Sequence, residues 1–364
     1  MVNIERIIDS FFIDGEFIRS ECFGNGHIND TFAATFEMNS GGLRRYIFQR
    51  VNHNIFNEPE KLMANVENVT SFLRKKIIKN GGDPDRETLN LIKTVDGCYF
   101  KDSENDFWRS YIFIENATSY TVVEKPEHLY AAGKAFGKFL EMLDDYPAET
   151  LYETLKDFHN TRKRFDKFVE TVEKDAHNRA VRVSAEIDFV MKRAGDMSLL
   201  TNLLESGKVP VRVTHNDTKL NNVLIDDVSG EGICIIDLDT VLPGLSLYDF
   251  GDAIRFGTNP SAEDERDLSK VWMDLNLFEN FTKGYLEAAG KSLNSVEKEH
   301  LPLSAKIMTL ECGMRFLTDF IDGDAYFKIH SEDHNLDRAR TQFKIVSDIE
   351  NKLDKMSEIA RKFA

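Results

Sequence analysis

One short segment, residues 211–227, constrains the fold more than any other part of the chain. Its sequence, VRVTHNDTKLNNVLIDD, begins and ends with apolar residues of strand character, but its centre carries an acid, a cation and several amides. A simple turn between two strands needs only residues such as Asn and Gly. The additional charged groups therefore indicate a strand–turn–strand unit that carries chemistry at its tip.

A second strand-like segment, GICIID, ends in the acid Asp237, and Asp239 follows two residues later. A hairpin that ends at Asp237 would bring both carboxylates to the polar tip of the first segment. Asp217 is placed there to accept a proton from a hydroxyl, and Lys219 to neutralise a phosphate. Asn222 and Asp237 supply the hard oxygen ligands that Mg²⁺ prefers. Phosphoryl transfer from ATP has these requirements.

The pattern H-x-D-x-K-x-x-N, residues 215–222, resembles the catalytic loop of protein kinases and of the aminoglycoside phosphotransferase superfamily. The resemblance implies that Asp217 is the catalytic base and that Lys219 contacts the γ-phosphate. It also implies that Asn222 is a Mg²⁺ ligand and that His215 holds the loop through backbone hydrogen bonds.

The acidic segment IIDLDT resembles the metal-binding segment of the same superfamily. This resemblance implies that Asp237 is a second Mg²⁺ ligand and that Asp239 is an accessory ligand of metal or water. The following LPGLSLYDFGDAIR resembles the next motif of the superfamily, in which Asp249 would tie the catalytic loop to a helix. The cofactors implied are Mg²⁺ and, as co-substrate, ATP.

The segment CFGNGHINDTFAATF lies where a kinase carries a glycine-rich loop between two strands. Gly24 and Gly26 would let backbone amides approach the phosphates without interference from a Cβ atom. Further along, YIFIEN lies where the adenine-binding hinge of such a fold runs. We expect the backbone of Phe113, Ile114 and Glu115 to contact the nucleotide there.

The nucleotide-binding lysine of kinases is missing from the corresponding strand, RYIFQRV. Arg50 is the candidate cation for the α- and β-phosphates, and a shift of one residue in strand register would place Gln49 there instead. The acidic partner of this cation would be Glu60 or Glu67 on the next helix. Solvated surface charge is the alternative interpretation of both glutamates.

Segments spread over nearly the whole chain resemble the N-acetylhexosamine 1-kinases: GNGHINDTF, YIFQRVN, LMANV, WRSYIFIENATSY, THNDTKLNNVLID, IIDLDTVLPGLSLYDFGDAIRFG and ECGMRFLTDFIDGDAYFK. The resemblance implies phosphorylation of the anomeric hydroxyl of GlcNAc or GalNAc by ATP. The product would be the sugar α-1-phosphate.

Four residues are candidates for contact with the sugar. Asp217 would bind the reacting hydroxyl, and Arg315 in ECGMRFLTDF would hold the remainder of the ring. Arg315 is otherwise an exposed or ion-paired helix arginine. Asp252 and Arg255 either bind sugar hydroxyls or form a structural pair one helical turn apart.

Two other functions stay open. The first is a kinase of the same fold that phosphorylates another alcohol, such as an aminoglycoside, homoserine, choline or methylthioribose. The second is a non-catalytic nucleotide-binding or scaffold protein, which only the missing lysine favours. The joint presence of Asp217, Asn222 and Asp237 argues against the second.

The pattern along the chain predicts an α+β, protein-kinase-like fold with a small β-rich lobe and a larger, mainly helical lobe. We expect residues 1–115 to form the N-terminal nucleotide-binding lobe and residues 116–364 the C-terminal catalytic and sugar-binding lobe. In the second lobe only 211–240 has strand character. Its predicted helices include 183–206, 263–289 and 304–321.

Charge and composition exclude other classes of function. The 46 basic and 62 acidic residues give a formal charge of −16, and no long basic run is present, which argues against nucleic acid as a partner. No window reaches the ~18 consecutive apolar residues of a membrane span. The N-terminus lacks the pattern of a signal peptide, and the four cysteines form no CxxC pair. We therefore expect a cytoplasmic protein with no membrane partner; the oligomeric state is not indicated.

Overall fold

The computed structural model describes residues 4–24 and 28–364. Its N-terminal lobe contains an antiparallel five-stranded sheet in the order β1-β2-β3-β5-β4. The strands are β1 (Gly15–Cys22), β2 (Asp30–Met38), β3 (Leu43–Val51), β4 (Phe100–Lys101) and β5 (Phe107–Ile112). Two helices accompany the sheet, α1 (Glu5–Ile8) and α2 (Pro59–Lys79).

The two faces of this sheet have different surroundings because side chains alternate along each strand. One face carries Phe36, Phe48 and Trp108, which pack against Ile7 and Phe11 from the N-terminal segment. The opposite face is directed towards the second lobe. A single step along β3 therefore decides whether a side chain faces the interior of the first lobe or the cleft between the lobes.

The C-terminal lobe is mainly helical and contains short strands where the polar segments lie. The strands are β6 (Ala117–Thr118), β7 (Arg212–Thr214), β8 (Val223–Asp226), β9 (Gly232–Ile235) and β10 (Leu242–Gly244). They form a sheet in the order β6-β8-β9 and a separate pair of β7 with β10. The helices are α3 (Pro126–Met142), α4 (Thr161–Lys174), α5 (Ser184–Met191), α6 (Leu199–Glu205), α7 (Ser246–Gly257), α8 (Leu275–Ala289), α9 (Ser295–Ile321) and α10 (His334–Phe363).

Glycines set the closest helix contact in this lobe. Gly133 of α3 lies against the carbonyl of Phe281, and Gly284 of α8 lies against the carbonyl of Tyr130, so a Cβ at either position would clash with backbone. A Cβ on Gly232 would lie 2.7 Å from the carbonyl oxygen of Ala131. The strand β9, which leads to the acidic segment, is thus held directly against the α3–α8 pair.

The predicted α+β, kinase-like two-lobed fold is confirmed. The helix predicted over 263–289 is wrong in its first part, because α8 begins only where the Asp274 side chain accepts hydrogen bonds from the amides of residues 276 and 277. The helix predicted over 183–206 is divided into α5 and α6. Across the described ranges, no helix has the length and apolar character that crossing a membrane requires.

Candidate active site

The loop between β7 and β8 is shaped by two carboxylates of α7. Asp249 accepts hydrogen bonds from the backbone N–H groups of His215 (2.8 Å) and Asn216 (2.7 Å). Asp252 accepts one from the N–H of Thr218 at 3.0 Å. Asn216 has a φ of 64°, a left-handed conformation that is uncommon outside glycine. The loop therefore has a fixed, locally strained shape, and the predicted role of Asp249 fits this geometry.

His215 connects this loop to the acidic segment. Its Nδ1 accepts from the N–H of Asp217 at 3.3 Å, and its Nε2 lies 2.9 Å from the carbonyl of Ile236, to which it donates. The N–H of Ile236 donates in turn to the carbonyl of Asn222 at 2.9 Å. These bonds require the neutral imidazole with its proton on Nε2. They bring the loop and the end of β9 into one unit, as the hairpin argument predicted.

Asp217 lies at the mouth of this unit with about a quarter of its side chain exposed (27%). The Nζ of Lys219 is 2.8 Å from its Oδ1, and the Nδ2 of Asn222 is 3.1 Å from its Oδ2. Burial opposes ionisation of Asp217, but the charge and the hydrogen bond of Lys219, with a smaller effect of Arg255, hold its pKa below the usual value. An ionised carboxylate with an accompanying cation can orient a hydroxyl and accept its proton.

Asp237 follows β9 in a left-handed conformation, with φ 57° and ψ 60°. Its side chain has no hydrogen-bond or ion-pair partner in the described part of the chain. Partial desolvation by the surrounding residues, followed by the negative charges of Asp239 and Asp217, raises the pKa of Asp237 to about 6. A residue in a strained backbone conformation that presents an exposed carboxylate, with no partner among the described residues, is characteristic of a functional site.

Asn222 and Asp237 together suit a magnesium ion. The Asn222 amide nitrogen is used by the Asp217 carbonyl (2.7 Å) and carboxylate, which leaves the amide oxygen for a cation. Among the described residues, no group of three His, Cys, Asp or Glu side chains is arranged to hold a metal. A site with one carboxylate and one amide oxygen fits Mg²⁺ that takes its other ligands from phosphates and water.

Asp239 is buried and bound by groups from the other lobe. Its Oδ1 accepts from Nη1 of Arg109 in β5, and its Oδ2 accepts from Nδ2 of Asn29 at 2.7 Å. The Nε of Arg109 donates to Oε1 of Gln49 at 2.9 Å. Arg109 was not among the residues predicted from the sequence. The signal available was a charged residue in the strand FWRSYI, between aromatic residues.

The prediction that Arg50 binds the nucleotide does not fit the geometry. Arg50 lies on the sheet face of its cross-strand partner Trp108, which is the face turned away from the acidic segment. Its guanidinium pairs with Asp106 at 2.9 Å and also with Asp30. The alternative register, with Gln49 at the cleft, fits the structure better, because the Gln49 side chain faces the cleft beside Arg109.

The glycine loop is described only in part. Gly24 has a φ of +75°, which favours glycine, and no atom of the described residues lies within 4 Å of the position of a Cβ. Gly26 lies outside the described residues. Glu60 is exposed, and Glu67 is 3.8 Å from the exposed Lys93, so both glutamates fit the alternative interpretation as surface charges.

The predicted hinge connects β5 to β6. Phe113 stacks under the guanidinium of Arg45, 3.7 Å from the ring centroid, and donates its N–H to the Arg45 carbonyl at 3.1 Å. Glu115 pairs with the same guanidinium, 2.9 Å from its Nε. Within the described ranges the N–H groups of Ile114 and Glu115 have no acceptor. These two amides are therefore available to a ligand.

The alternative of a structural pair applies to Asp252 and Arg255. Both are buried, with the Nε of Arg255 2.9 Å from Oδ1 of Asp252 and its Nη1 3.0 Å from Glu263. The other oxygen of Asp252 is used by Thr218. Both oxygens of Asp252 and two nitrogens of Arg255 thus have protein partners, so this geometry fits the structural pair better than contact with sugar hydroxyls.

Arg315 of α9 lies between two aromatic rings, with its guanidinium carbon 5.4 Å from the Phe158 centroid and 5.6 Å from that of Phe327. No carboxylate pairs with it among the residues that the structure describes. A second arginine, Arg164, is close by, and its buried Nε has no acceptor in the same part of the chain. Burial, and then the charge of Arg315, lower the pKa of Arg164.

A buried network joins this arginine pair to the catalytic loop. His159 places Nδ1 2.9 Å from Oε1 of Glu311 and Nε2 3.1 Å from the carbonyl of Asn216. Thr161 donates to the other oxygen of Glu311 at 2.6 Å. Glu311 precedes Arg315 by one helical turn. The helix α9 therefore carries Arg315, the predicted sugar-binding residue, and is also connected through Glu311 and His159 to the peptide before Asp217. His159 lies in the turn before α4 and Arg164 lies on that helix, and neither was predicted because no recognisable motif marks this region.

Comparison with known proteins agrees with the two-lobed fold. Among solved structures, an aminoglycoside phosphotransferase from Alicyclobacillus acidocaldarius aligns with a TM-score of 0.65 at 11% identity, over 100% of this chain and 97% of that chain. A spectinomycin phosphotransferase in complex with ADP and spectinomycin gives 0.56 at 14% identity, over 97% of each chain. A choline kinase from Cryptosporidium parvum gives 0.57 at 13% identity, over 95% of this chain and 92% of that chain.

These structural likenesses, at such low identity, concern the fold. The sequence itself provides the assignment, because residues 23–283 match the APH phosphotransferase enzyme family. The matched range includes the glycine loop, the predicted hinge, the catalytic loop and the acidic segment. The chain is therefore a member of the APH phosphotransferase enzyme family.

Proposed function

We propose that this phosphotransferase transfers the γ-phosphoryl group of ATP, with Mg²⁺, to the anomeric hydroxyl of an N-acetylhexosamine, GlcNAc or GalNAc, and forms the α-1-phosphate. The observation that carries the transfer step is the placement of Asp217, whose Oδ1 lies 2.8 Å from the Nζ of Lys219 in the loop that His215 joins to the acidic segment. In this proposal residues 1–115 bind the nucleotide, and residues 116–364 carry the catalytic and sugar-binding groups.

Asp217 accepts a hydrogen bond from the reacting hydroxyl and then its proton, as the hydroxyl oxygen bonds to the γ-phosphorus and ADP leaves. Lys219 keeps Asp217 ionised in the free protein and neutralises charge on the transferred group. The Asn222 amide oxygen and the Asp237 carboxylate would hold Mg²⁺, which neutralises phosphate charge when bound. Most of the protein's contribution is thus positioning and charge stabilisation.

The nucleotide would lie between the glycine loop and the hinge. The left-handed Gly24, and Gly26 by its sequence position, would present backbone amides to the phosphates. The unpaired N–H groups of Ile114 and Glu115 suit the edge of an adenine ring, and Phe113 would support it. ADP in the related spectinomycin phosphotransferase structure is consistent with this use of the fold.

The arginine pair supports a sugar over a cationic acceptor. Arg315 and Arg164 bring two positive charges to the acceptor side, and Glu311 is already committed to His159 and Thr161. Such a site repels the ammonium groups of aminoglycosides or choline. It attracts the acetamido carbonyl and the ring oxygens of an N-acetylhexosamine, which accept hydrogen bonds.

The test is a measurement of ADP release with Mg·ATP and a panel of acceptors: GlcNAc, GalNAc, 1-deoxy-GlcNAc, choline, homoserine and an aminoglycoside. We expect turnover only with the first two, and phosphorus–proton coupling at the anomeric position of the product in NMR. Phosphate on the 6-hydroxyl, or turnover of the 1-deoxy sugar, would rule out the anomeric reaction. Turnover of choline, homoserine or the aminoglycoside alone would establish the other class of acceptor.

A further inference from the structure

The nucleotide site needs a cation from the first lobe, and β3 does not provide one on the cleft side. Gln49 occupies the position on β3 that faces the cleft, and it is neutral. Arg50 lies on the other face and is neutralised by Asp30 and Asp106. A phosphate chain bound between the glycine loop and Asp237 would otherwise meet three carboxylates, those of Asp217, Asp237 and Asp239. Lys219, a cation of the second lobe, already pairs with Asp217.

Arg109 brings a positive charge to this place from the neighbouring strand. It is the cross-strand partner of Gln49 in the β3–β5 pair, so the two side chains emerge side by side on the cleft face. The Arg109 side chain is 4% exposed. Its charge acts on both Asp239 and Asp237, since both carboxylates raise the pKa of the guanidinium against the effect of burial. The guanidinium thus pairs with Asp239, two residues along the chain from the acid that we assign to the metal.

The environment of Arg109 fixes part of its guanidinium and leaves part of it without a partner. Nε donates to Gln49 and Nη1 donates to Asp239, whereas Nη2 has no acceptor among the described residues. An arginine fork that is held at two nitrogens presents its third in a defined direction, which suits recognition of a phosphate oxygen.

Asp239 is occupied by donors of the first lobe on both of its oxygens. Arg109 uses one oxygen, and Asn29, which follows the glycine loop, uses the other. The Asn29 side-chain oxygen in turn accepts from the N–H of Asn52 at 3.0 Å. Through these contacts Asp239 holds Arg109 and Asn29 of the first lobe in place. The Asp237 carboxylate, in contrast, accepts no hydrogen bond from the described residues.

We propose that Arg109 replaces the missing lysine as the cation that binds the α- and β-phosphates of the nucleoside triphosphate, and that Asp239 positions Arg109 instead of ligating the metal. The inference rests on the proposed phosphotransferase function but not on the identity of the acceptor. The phosphate-binding charge predicted at Arg50 on β3 is thus provided by Arg109 on β5, a strand that pairs with β3 but is distant from it in the sequence.

The first experiment compares Arg109→Gln with the matched control Arg50→Gln, using titration calorimetry with Mg·AMP-PNP and with adenosine. Loss of a charge-assisted contact should weaken Mg·AMP-PNP binding by Arg109→Gln about tenfold or more. Adenosine, which has no phosphates, should bind within about twofold of wild type. Arg50→Gln should bind both ligands like wild type, because it removes only partly exposed ion pairs.

A second pair of variants guards against a folding defect and separates the role of Asp239. Gln49→Lys in the Arg109→Gln background returns a cation to the same face and should recover at least part of the lost affinity. Asp239→Asn should leave the Mg²⁺ concentration for half-maximal AMP-PNP binding within about twofold of wild type, whereas loss of a true metal ligand raises it strongly.

The outcomes distinguish this inference from the proposed function. Wild-type affinity of folded Arg109→Gln for Mg·AMP-PNP would overturn the role of Arg109. A strongly raised Mg²⁺ requirement in Asp239→Asn would return Asp239 to the metal. Failure of the wild-type protein to bind Mg·AMP-PNP would instead overturn the proposed function, and this inference with it.

Discussion

At the scale of single residues, the catalytic loop depends on groups that do not react. Asp249 and Asp252 fix three backbone amides of the loop, and His215 fixes its distance from the acidic segment. The reactive carboxylates are left free by comparison. We therefore expect the loop to keep its shape when Asp217 is substituted.

Asp217→Asn should reduce turnover by about 10²–10⁴-fold, because the amide cannot accept the hydroxyl proton. Nucleotide affinity and melting temperature should stay near those of wild type, since Asn keeps the size of the side chain. Steady-state kinetics with calorimetry of Mg·AMP-PNP binding measures both. Wild-type turnover in the purified variant would remove Asp217 from the role of base.

Asp237→Ala should lose Mg²⁺-dependent binding of the nucleotide, because the ion loses its only carboxylate ligand from the described site. Asn222→Ala should show a milder form of the same defect, since a neutral amide contributes less than a charged ligand. Titration of AMP-PNP at a series of Mg²⁺ concentrations measures the effect. An unchanged Mg²⁺ requirement in Asp237→Ala would contradict the metal assignment.

Arg315→Ala should raise the KM for the sugar strongly and leave the KM for ATP nearly unchanged, because in the proposed function Arg315 holds the sugar and does not contact the nucleotide. Arg315→Lys should also be impaired, since an ammonium group cannot reproduce the planar fork. Initial rates over both substrate concentrations separate the two constants. An equal rise in both KM values would indicate a general structural role.

At the scale of elements, α9 serves both ends of the strand that leads to the catalytic loop. Its N-terminus has a capping box between Asn294 and Glu297, and Glu297 is also 2.7 Å from the Nε of Arg212 at the start of β7. Further along the helix, Glu311 reaches the carbonyl of Asn216 through His159. One helix therefore positions β7 and the loop that follows it.

Glu297→Ala should lower the free energy of unfolding by about 3–5 kcal/mol, because it leaves the guanidinium of Arg212 buried without its main partner. Urea denaturation measures the change. Arg162→Ala, which removes the exposed pair with Asp166 on α4, is the matched control and should cost no more than about 0.5 kcal/mol. A similar small loss in both variants would show that the Arg212 pair contributes little.

The same glutamate makes stability depend on pH. Burial opposes its ionisation, but hydrogen bonds from Arg212, the Asn294 backbone and Ser246 lower the pKa of Glu297 below its usual value. Its contribution is therefore complete above the unfolded-state pKa of about 4.3 and is lost as the pH falls through the lower folded-state value. The loss of unfolding free energy between pH 5 and pH 3 should be smaller in Glu297→Gln than in wild type.

At the scale of the whole molecule, the fold and the catalytic loop were predictable because their signals are local. The segment from His215 to Asn222 spans eight positions, and the change from strands to helices follows short-range periodicity. Arg109 was not predictable in this way, since its partners Gln49 and Asp239 are 60 and 130 positions away. The prediction of Arg50 differs from the cleft-facing Gln49 by one residue of β3, and a shift of one residue moves a side chain to the opposite face of the sheet.

Asp252 and Arg255 show a different limit of sequence reasoning. Their spacing is equally compatible with two residues that bind a ligand and with two residues that form an ion pair with each other. Only the position of Thr218, which comes from a distant part of the chain, decides between the two. Arg164, which we propose as part of the acceptor site, lies in a segment without a motif, so spacing alone does not reveal it.

The glycine contacts between α3 and α8 have a consequence for mutational tolerance. No side chain fits at Gly133 or Gly284 unless the two helices separate, and Gly232 transmits such a separation to β9. A single methyl group at any of these positions would therefore displace the strand that ends before Asp237. A glycine-to-alanine change, which is harmless at most helix surfaces, should therefore impair function at these positions although they lie far from the reacting atoms.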